Sequence, residues 1–376
     1  VDFDAAGRQI EDAIAAGAFP GAVVLVARDG EIVWHGAFGV RTREPESMPM
    51  QPDTIFDLSS LTKPLATTLA FMLLVKERKV ELDDRVTRFF PNFAVHGKTK
   101  VTFRSLLGHY SGLAAWRPFY KEIGRVERRG KLNFMASRGA KEWVYQEIHR
   151  ERQEYETGAK SIYSDLGFML LGELVELVTR MPLDRFCHER IFRPLKLRST
   201  AFVDLSVMRA KKLVPVTDDI APTERCPWRR KVLWGEVHDD NAYAMGGVAG
   251  HAGVFASARD VHAVLAHLTA CRLGASDGLV PPEIMREFWT RDGTVEGSTW
   301  ALGWDMPTEG GSSAGSRITP TSVGHLGYTG TSAWIDLERR AHVVLLTNRV
   351  HPTRDNDRIR AARPRIHDAV FEALDA

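Results

Sequence analysis

The sequence predicts an α+β fold: an antiparallel sheet flanked by helices, built from both chain ends, with a mostly helical region inserted between them. Three observations carry this. The stretch "AVVLVARDGEIVWHGAFGV" near the start holds two β-rich runs separated by Asp29-Gly30, a strong short hairpin signal. The stretch "SAWIDLERRAHVVLLTN" near the end is a second strand–turn–strand unit, turning at Glu338-Arg339-Arg340. Between them the apolar positions recur mostly at helical spacing. Runs of strand and helix segregated in this way favour an antiparallel sheet over alternating βαβ units. The expected division is an α/β domain from residues 1–75 and 250–376, a mostly helical domain from 76–249, and an active site between them.

The elements follow in order. Residues 2–17 form an amphipathic helix, with Ile10, Ala13, Ile14 and Gly17 on one face and Gly17 as its stop. After the first hairpin, "REPESMPMQPD" (Arg43–Asp53) is a surface loop. Ser60 to Arg78 is expected as one strong helix, its Pro64 tolerated in the first turn. Lys141 to Glu156 is a charged helix with one solvated face that could wall an acyl pocket. Ser164 to Arg180 is a helix capped by Ser164 or Asp165, and Ser257 to Ala270 one that opens with an S-x-x-D signal. "PTEGGSSAGSRITPTS" (Pro307–Ser322) is a second loop, and a last helix covers Pro364 to Leu374.

Composition excludes several classes. The chain has 376 residues, 44% hydrophobic and 26% charged, with a net charge of +2. That balance calls for neither nucleic acid nor a membrane surface. The basic clusters Arg225–Lys231 and Arg354–Arg365 read as solvated faces. Cys187, Cys226 and Cys271 are widely spaced and odd in number, so neither a disulfide framework nor zinc-ligand spacing follows. The longest apolar run, Leu65 to Val75, is too short to span a bilayer. No signal peptide is visible and the first residue is Val1. A cytoplasmic location is slightly favoured, and an exported mature form is compatible. The glycine-dense "GGVAGHAG" lacks the ending of a phosphate loop, and His262 and His267 have the wrong spacing for a shared metal. No metal or organic cofactor is expected.

Three constellations could carry chemistry. In "DLSSLTK", Lys63 follows Ser60 by three positions, so the two side chains can meet on one helical face. The helix N-terminus favours negative charge developing there. A lysine desolvated by apolar neighbours can have its pKa lowered enough to take the serine's proton. The other reading is a chance match in which Ser59 or Ser60 only caps a helix. Tyr163-Ser164-Asp165 precedes a helix; a phenol beside an ammonium can act as base and then acid, or be a buried tyrosine before an N-cap. In "GHLGYTGTSAW", His325 and Gly327 place a polar side chain and an open backbone edge beside Tyr328. Such an edge can offer an N–H to an oxyanion, or be a glycine-marked edge strand.

Taken in order, these motifs resemble the serine β-lactamase and penicillin-binding protein superfamily. The nearer likeness is to the branch of class C β-lactamases, family VIII carboxylesterases and D-alanyl-D-alanine peptidases, with S-x-x-K, Y-x-N and a K-T-G-like triplet. "KVELDDRVTRFFPNF", "VTFRSLLGHYSGL", "YSDLGFMLLGELVE" and "GGVAGHAGVFASARDVHAVL" continue the likeness in family order over about residues 20–350. The resemblance implies a β-lactamase-like fold and catalysis through an acyl-enzyme. It makes Ser60 the nucleophile, Lys63 its proton partner and Tyr163 the general base and acid. The Ser60 and Tyr328 N–H groups become the oxyanion hole, and Asp165, His325 and Gly327 face the substrate.

Two departures from the family pattern bear on substrate. Asp165 stands where the family has Asn, replacing an amide donor by an acceptor that would repel an acyl amide carbonyl. His325 stands where the family has Lys, exchanging a permanent cation for a titrating one. Both lean toward short-chain esters, with a D-alanyl peptide or β-lactam next, and a catalytically silent binding protein as the reading from another class. "GEVHDDNA" (Gly235–Ala242) is expected to wall the pocket or order a loop, and His109 and His251 to be structural.

Overall fold

The computed structural model of the chain describes residues 1–130, 132–275 and 277–376. Its main sheet takes strands from both chain ends: β1 (Gly21–Arg28), β2 (Glu31–Thr42), β3 (Met48–Pro49), β4 (Val323–Leu326), β5 (Ser332–Asp336) and β6 (Ala341–Thr347). The order is β3-β2-β1-β6-β5-β4, all antiparallel, so the first and last hairpins meet at the β1–β6 pair, where Val24 faces Leu345. The Asp29-Gly30 turn closes β1–β2 with both residues at positive φ, 53° and 87°, as a two-residue hairpin of this hand requires. The fold expected from the sequence, an antiparallel sheet with helices, is the one observed.

Each strand of the sheet's centre is buried on both faces, and side chains alternate between two cores. Val24, Val26, Val343 and Leu345 point to one side, where α1 (Asp4–Ala15) and the C-terminal helix cover them with Ile10, Ile366, Val370 and Phe371. Val23, Leu25, Val344 and Leu346 point to the other, into a larger core shared with the inserted helices. The C-terminal helix runs Ile359–Asp375, starting earlier than Pro364, which lies inside it.

A three-stranded sheet connects this frame to the turn that carries Ser60. Ile55–Asp57 pairs with Val254–Ser257, which also pairs with Ala201–Phe202. The segment after Asp57 differs from the single helix expected. Ser59 adopts φ 49°, Ser59–Leu61 is a 3₁₀ turn, Lys63–Thr68 is a π-helical turn, and regular α-helix holds only over α2 (Leu69–Lys76). Pro64 has no N–H to return to the Ser60 carbonyl, which breaks the α ladder at its start. π turns concentrate at functional sites, where they re-aim a side chain. α3 (Asp165–Thr179) is capped by Ser164, whose hydroxyl accepts from the Gly167 N–H. α4 (Ala258–Leu273) is likewise capped by Ser257. The three cysteines are buried and free. Among the described residues no helix is long and apolar enough to cross a membrane, and no group of His, Cys, Asp or Glu is placed to hold a metal ion.

Candidate active site

Ser60, Lys63 and Tyr163 come together although Tyr163 is a hundred residues from the other two. The Lys63 ammonium donates to Ser60 Oγ at 3.0 Å, and the Tyr163 hydroxyl lies 2.9 Å from the same oxygen. Ser60 therefore has a proton-exchanging group on each side, the geometry that activates a hydroxyl nucleophile. Ser59 is oriented differently: its N–H bonds to the Asp57 carboxylate and its side chain is nearly buried. The lysine is fully buried, and its other contacts are the His251 carbonyl at 3.0 Å and the Asp165 carboxylate at 2.7 Å.

Those contacts reverse one expectation. Burial pulls Lys63 down, yet the Asp165 charge, joined by Tyr163, outweighs it and leaves the ammonium above its ordinary pKa. Burial likewise holds the Tyr163 phenol up, with Lys63 drawing it back in part. The resting trio is thus an ammonium and a neutral phenol on one hydroxyl. The Asp165 carboxylate is turned onto Lys63, so the negative charge that was expected to oppose an acyl carbonyl is largely balanced there.

The other predicted groups border the same cleft of about 540 Å³, which is lined by Ser60, Tyr163, Asp165, His325, Gly327 and Tyr328. His325 sits on edge strand β4, its Nδ1 2.7 Å from the Leu326 carbonyl. Burial and the neighbouring Lys63 pull its pKa to about 3, so it faces the cleft as a neutral ring. Its Nε2 is buried without a hydrogen-bond partner among the described residues. Gly327 is required by space: a Cβ there would meet Thr331 Oγ1 at 2.0 Å and the Leu58 carbonyl at 2.5 Å. This close approach joins the end of β4 to the Ser60 turn. Thr329 and Thr331 hydroxyls reinforce it by donating to the Asp57 and Leu58 carbonyls. Among the described residues, neither the Ser60 nor the Tyr328 N–H is spent on a hydrogen bond within the chain, so both amides can meet an oxyanion.

Asp57 ties the turn to the "GEVHDDNA" loop, since its carboxylate accepts from the Ser59 and His238 amides. His238 stacks under the Tyr328 ring at 5.8 Å and pairs with Glu224. Asp239 and Asp240 line the cleft, while Asn241 holds the Tyr120 amide and the Arg117 carbonyl. His109 packs 4.7 Å from Tyr163 and takes the Ser164 N–H on Nδ1.

Several cleft residues were missed in sequence. Trp116 and Trp300 have no local motif, and only the fold brings them in. The cluster Arg354–Arg365 was expected on a solvated face; instead Arg354, Arg360 and Arg363 line the cleft, joined by Arg349, and Arg363 is 5% exposed. In Arg225–Lys231, Arg229 is also buried, paired to Asp240. The helix Arg138–Arg150 contributes nothing to the cleft wall.

A family model described as Beta-lactamase matches residues 7–366. A protein of Escherichia coli (strain K12), provisionally named D-alanyl-D-alanine carboxypeptidase, is 34% identical over 89% of this chain and 79% of its own length. The N-acetylmuramyl-L-alanine amidase of Bacillus subtilis (strain 168) is 33% identical over 92% of this chain and 80% of its own. Among solved structures, EstCE1, a hydrolase with promiscuous acyltransferase activity, superposes with a TM-score of 0.73 at 23% identity over 98% of both chains, which speaks to the fold. With the family model spanning nearly the whole chain, this protein belongs to the β-lactamase family, as a serine hydrolase in the branch shared by class C β-lactamases, family VIII esterases and D-alanyl-D-alanine peptidases.

Proposed function

We propose that the chain is a serine amidase that opens an amide bond in a carboxylate-bearing, peptidoglycan-type peptide. The observation that carries this is the pair Arg349 and Arg363 on the cleft wall. Arg349 is spent on carbonyls, its Nε on Tyr328 O at 2.9 Å and its Nη1 on Arg354 and Asn356 O, and among the described residues no carboxylate pairs with it. Arg363 is buried, with its Nε unpaired among the described residues; burial and Arg349 lower it to about 10, still cationic at neutral pH. Buried charge without a counter-ion costs several kcal/mol. A substrate carboxylate entering the cleft would supply the missing partner. The relatives support this reading, since the names of both refer to amide substrates of amino acids.

In the proposed reaction, one proton is first lost from the Lys63–Tyr163 pair. Ser60 Oγ attacks the carbonyl carbon as its proton passes to Tyr163, and the Ser60 and Tyr328 N–H groups receive the oxyanion. Tyr163 then protonates the departing amine as the C–N bond breaks, leaving an acyl-Ser60 ester. Water, deprotonated by the same phenolate, releases the acid and restores the hydroxyl. A second reading, a carboxylesterase on short-chain esters, is favoured by His325, whose neutral ring leaves the strand edge without a cation. A panel of N-acetylmuramyl-L-alanine, a D-alanyl-D-alanine peptide and p-nitrophenyl butyrate decides between them. Turnover of either amide supports the amidase. Turnover of the ester with neither amide touched overturns it in favour of the esterase.

A further inference from the structure

The cleft opens at Trp116 onto a row of aromatic rings that the proposed chemistry does not use, its middle ring, Tyr120, packing against the core. Trp116 lines the cleft and is 44% exposed. It lies one residue beyond Ala115, whose carbonyl accepts the Asp165 N–H, and it lines the same cleft as Asp165. Tyr120 follows at 6.5 Å between ring centroids, and Trp228, 37% exposed, at 5.2 Å from Tyr120. Large exposed indoles are uncommon, and a free one would be expected to fold down on its neighbours.

Trp228 is instead fixed in place. Its Nε1 donates to Asp240 at 3.0 Å, Tyr243 meets it edge-on at 5.7 Å, and the Arg229 guanidinium stacks 5.0 Å from its ring. The indole is therefore held in one place with 37% of its surface exposed, so a ligand that meets it has little side-chain entropy to remove. The surroundings are not those of an acyl-chain tunnel, which would be concave and apolar. Asp240, Asp357, Arg354 and Arg360 rim the same cleft with carboxylates and guanidinium groups. Apolar ring faces beside planar polar groups suit a ligand that is itself two-sided, with C–H groups on its face and hydroxyls at its edge.

We propose that Trp116, Tyr120 and Trp228 form a carbohydrate subsite, taking a pyranose ring attached to the acyl half of the substrate. This rests on the amidase reading for turnover, but binding can be read separately. Two measurements separate them. The first compares kcat/KM for N-acetylmuramyl-L-alanine with that for D-lactoyl-L-alanine, the same amide without its sugar, in wild type and Trp116→Ala. Wild type should prefer the sugar-bearing amide by tenfold or more, through KM, and Trp116→Ala should bring the ratio of the two kcat/KM values close to one. The second is calorimetric binding of N-acetylmuramyl-L-alanine to Ser60→Ala, with and without Trp228→Phe and Trp116→Ala. Trp116→Ala should weaken binding at least fivefold, and the conservative Trp228→Phe less. Equal use of the two amides, or binding that ignores Trp116, overturns the subsite. Sugar binding that depends on Trp116, with no amide turned over, upholds the subsite and sinks the amidase reading.

Discussion

Replacing Asp165 by Asn should move the acid limb of the pH–rate profile to lower pH. In wild type the Lys63 ammonium and Tyr163 phenol are both held protonated, and the working form has one proton fewer. The rate therefore climbs with pH through neutrality into the alkaline range. Asp165 is the largest influence holding the proton on Lys63, against the burial that opposes it. Two unit charges 2.7 Å apart, as these are, attract by about 6 kcal/mol at an effective dielectric constant near 20. The side chain of Asp165 is 17% exposed, and the replacing amide oxygen can still accept from the ammonium, so much of this is returned. If only a quarter survives, about 1.5 kcal/mol, a proton equilibrium changes by slightly more than tenfold. The limb should then shift down by about one pH unit or more, and Asp165→Glu should shift it far less. The assay is kcat/KM for p-nitrophenyl butyrate between pH 5.5 and 10, with the melting temperature recorded at each end. An unmoved limb in a folded Asp165→Asn protein would refute the assignment of Asp165 as the counter-charge of Lys63.

Two further outcomes test the frame around the trio. Arg363→Met keeps the length of a buried side chain and removes a cation without a partner; it should raise stability by about 1 kcal/mol, seen as a higher Tm, while kcat/KM on carboxylate-bearing amides falls tenfold or more and p-nitrophenyl butyrate is unaffected. A lower Tm with unchanged amide kinetics would remove Arg363 from substrate recognition. Gly327→Ala inserts a Cβ 2.0 Å from Thr331 Oγ1 and 2.5 Å from the Leu58 carbonyl. It should cost about 1–3 kcal/mol as overpacking and lower kcat more than a hundredfold by parting the end of β4 from the Ser60 turn. Turnover within threefold of wild type would show that this contact does not set the site.

What was legible in the sequence was local. The Asp29-Gly30 hairpin, the Ser164 and Ser257 caps and the Ser60–Lys63 spacing all rest on a few neighbouring residues, and each is found in the structure. The geometry after Asp57 was not legible, because helical propensity says nothing of how Ser59 and Pro64 redirect the ladder into 3₁₀ and π turns. The direction of the Lys63 shift was missed for a related reason. Desolvation can be guessed from apolar neighbours in sequence, whereas the Asp165 charge reaches Lys63 only through the fold. Arg363 shows the same limit. A run of arginines looks solvated until the C-terminal helix starts at Ile359 and turns one of them inward. Trp116 and Trp228 lie far apart in the chain, and only the packing of Tyr120 between them makes a row.

The central claim is that Ser60 carries the acyl group, and intact-protein mass spectrometry with peptide mapping reads it directly. After a fluorophosphonate is added, wild type should gain one adduct, mapped to Ser60, and lose its hydrolysis of p-nitrophenyl butyrate in proportion. Ser60→Ala should stay folded, gain no adduct and show no turnover above background. An adduct on another residue, or hydrolysis retained in Ser60→Ala, would contradict the account.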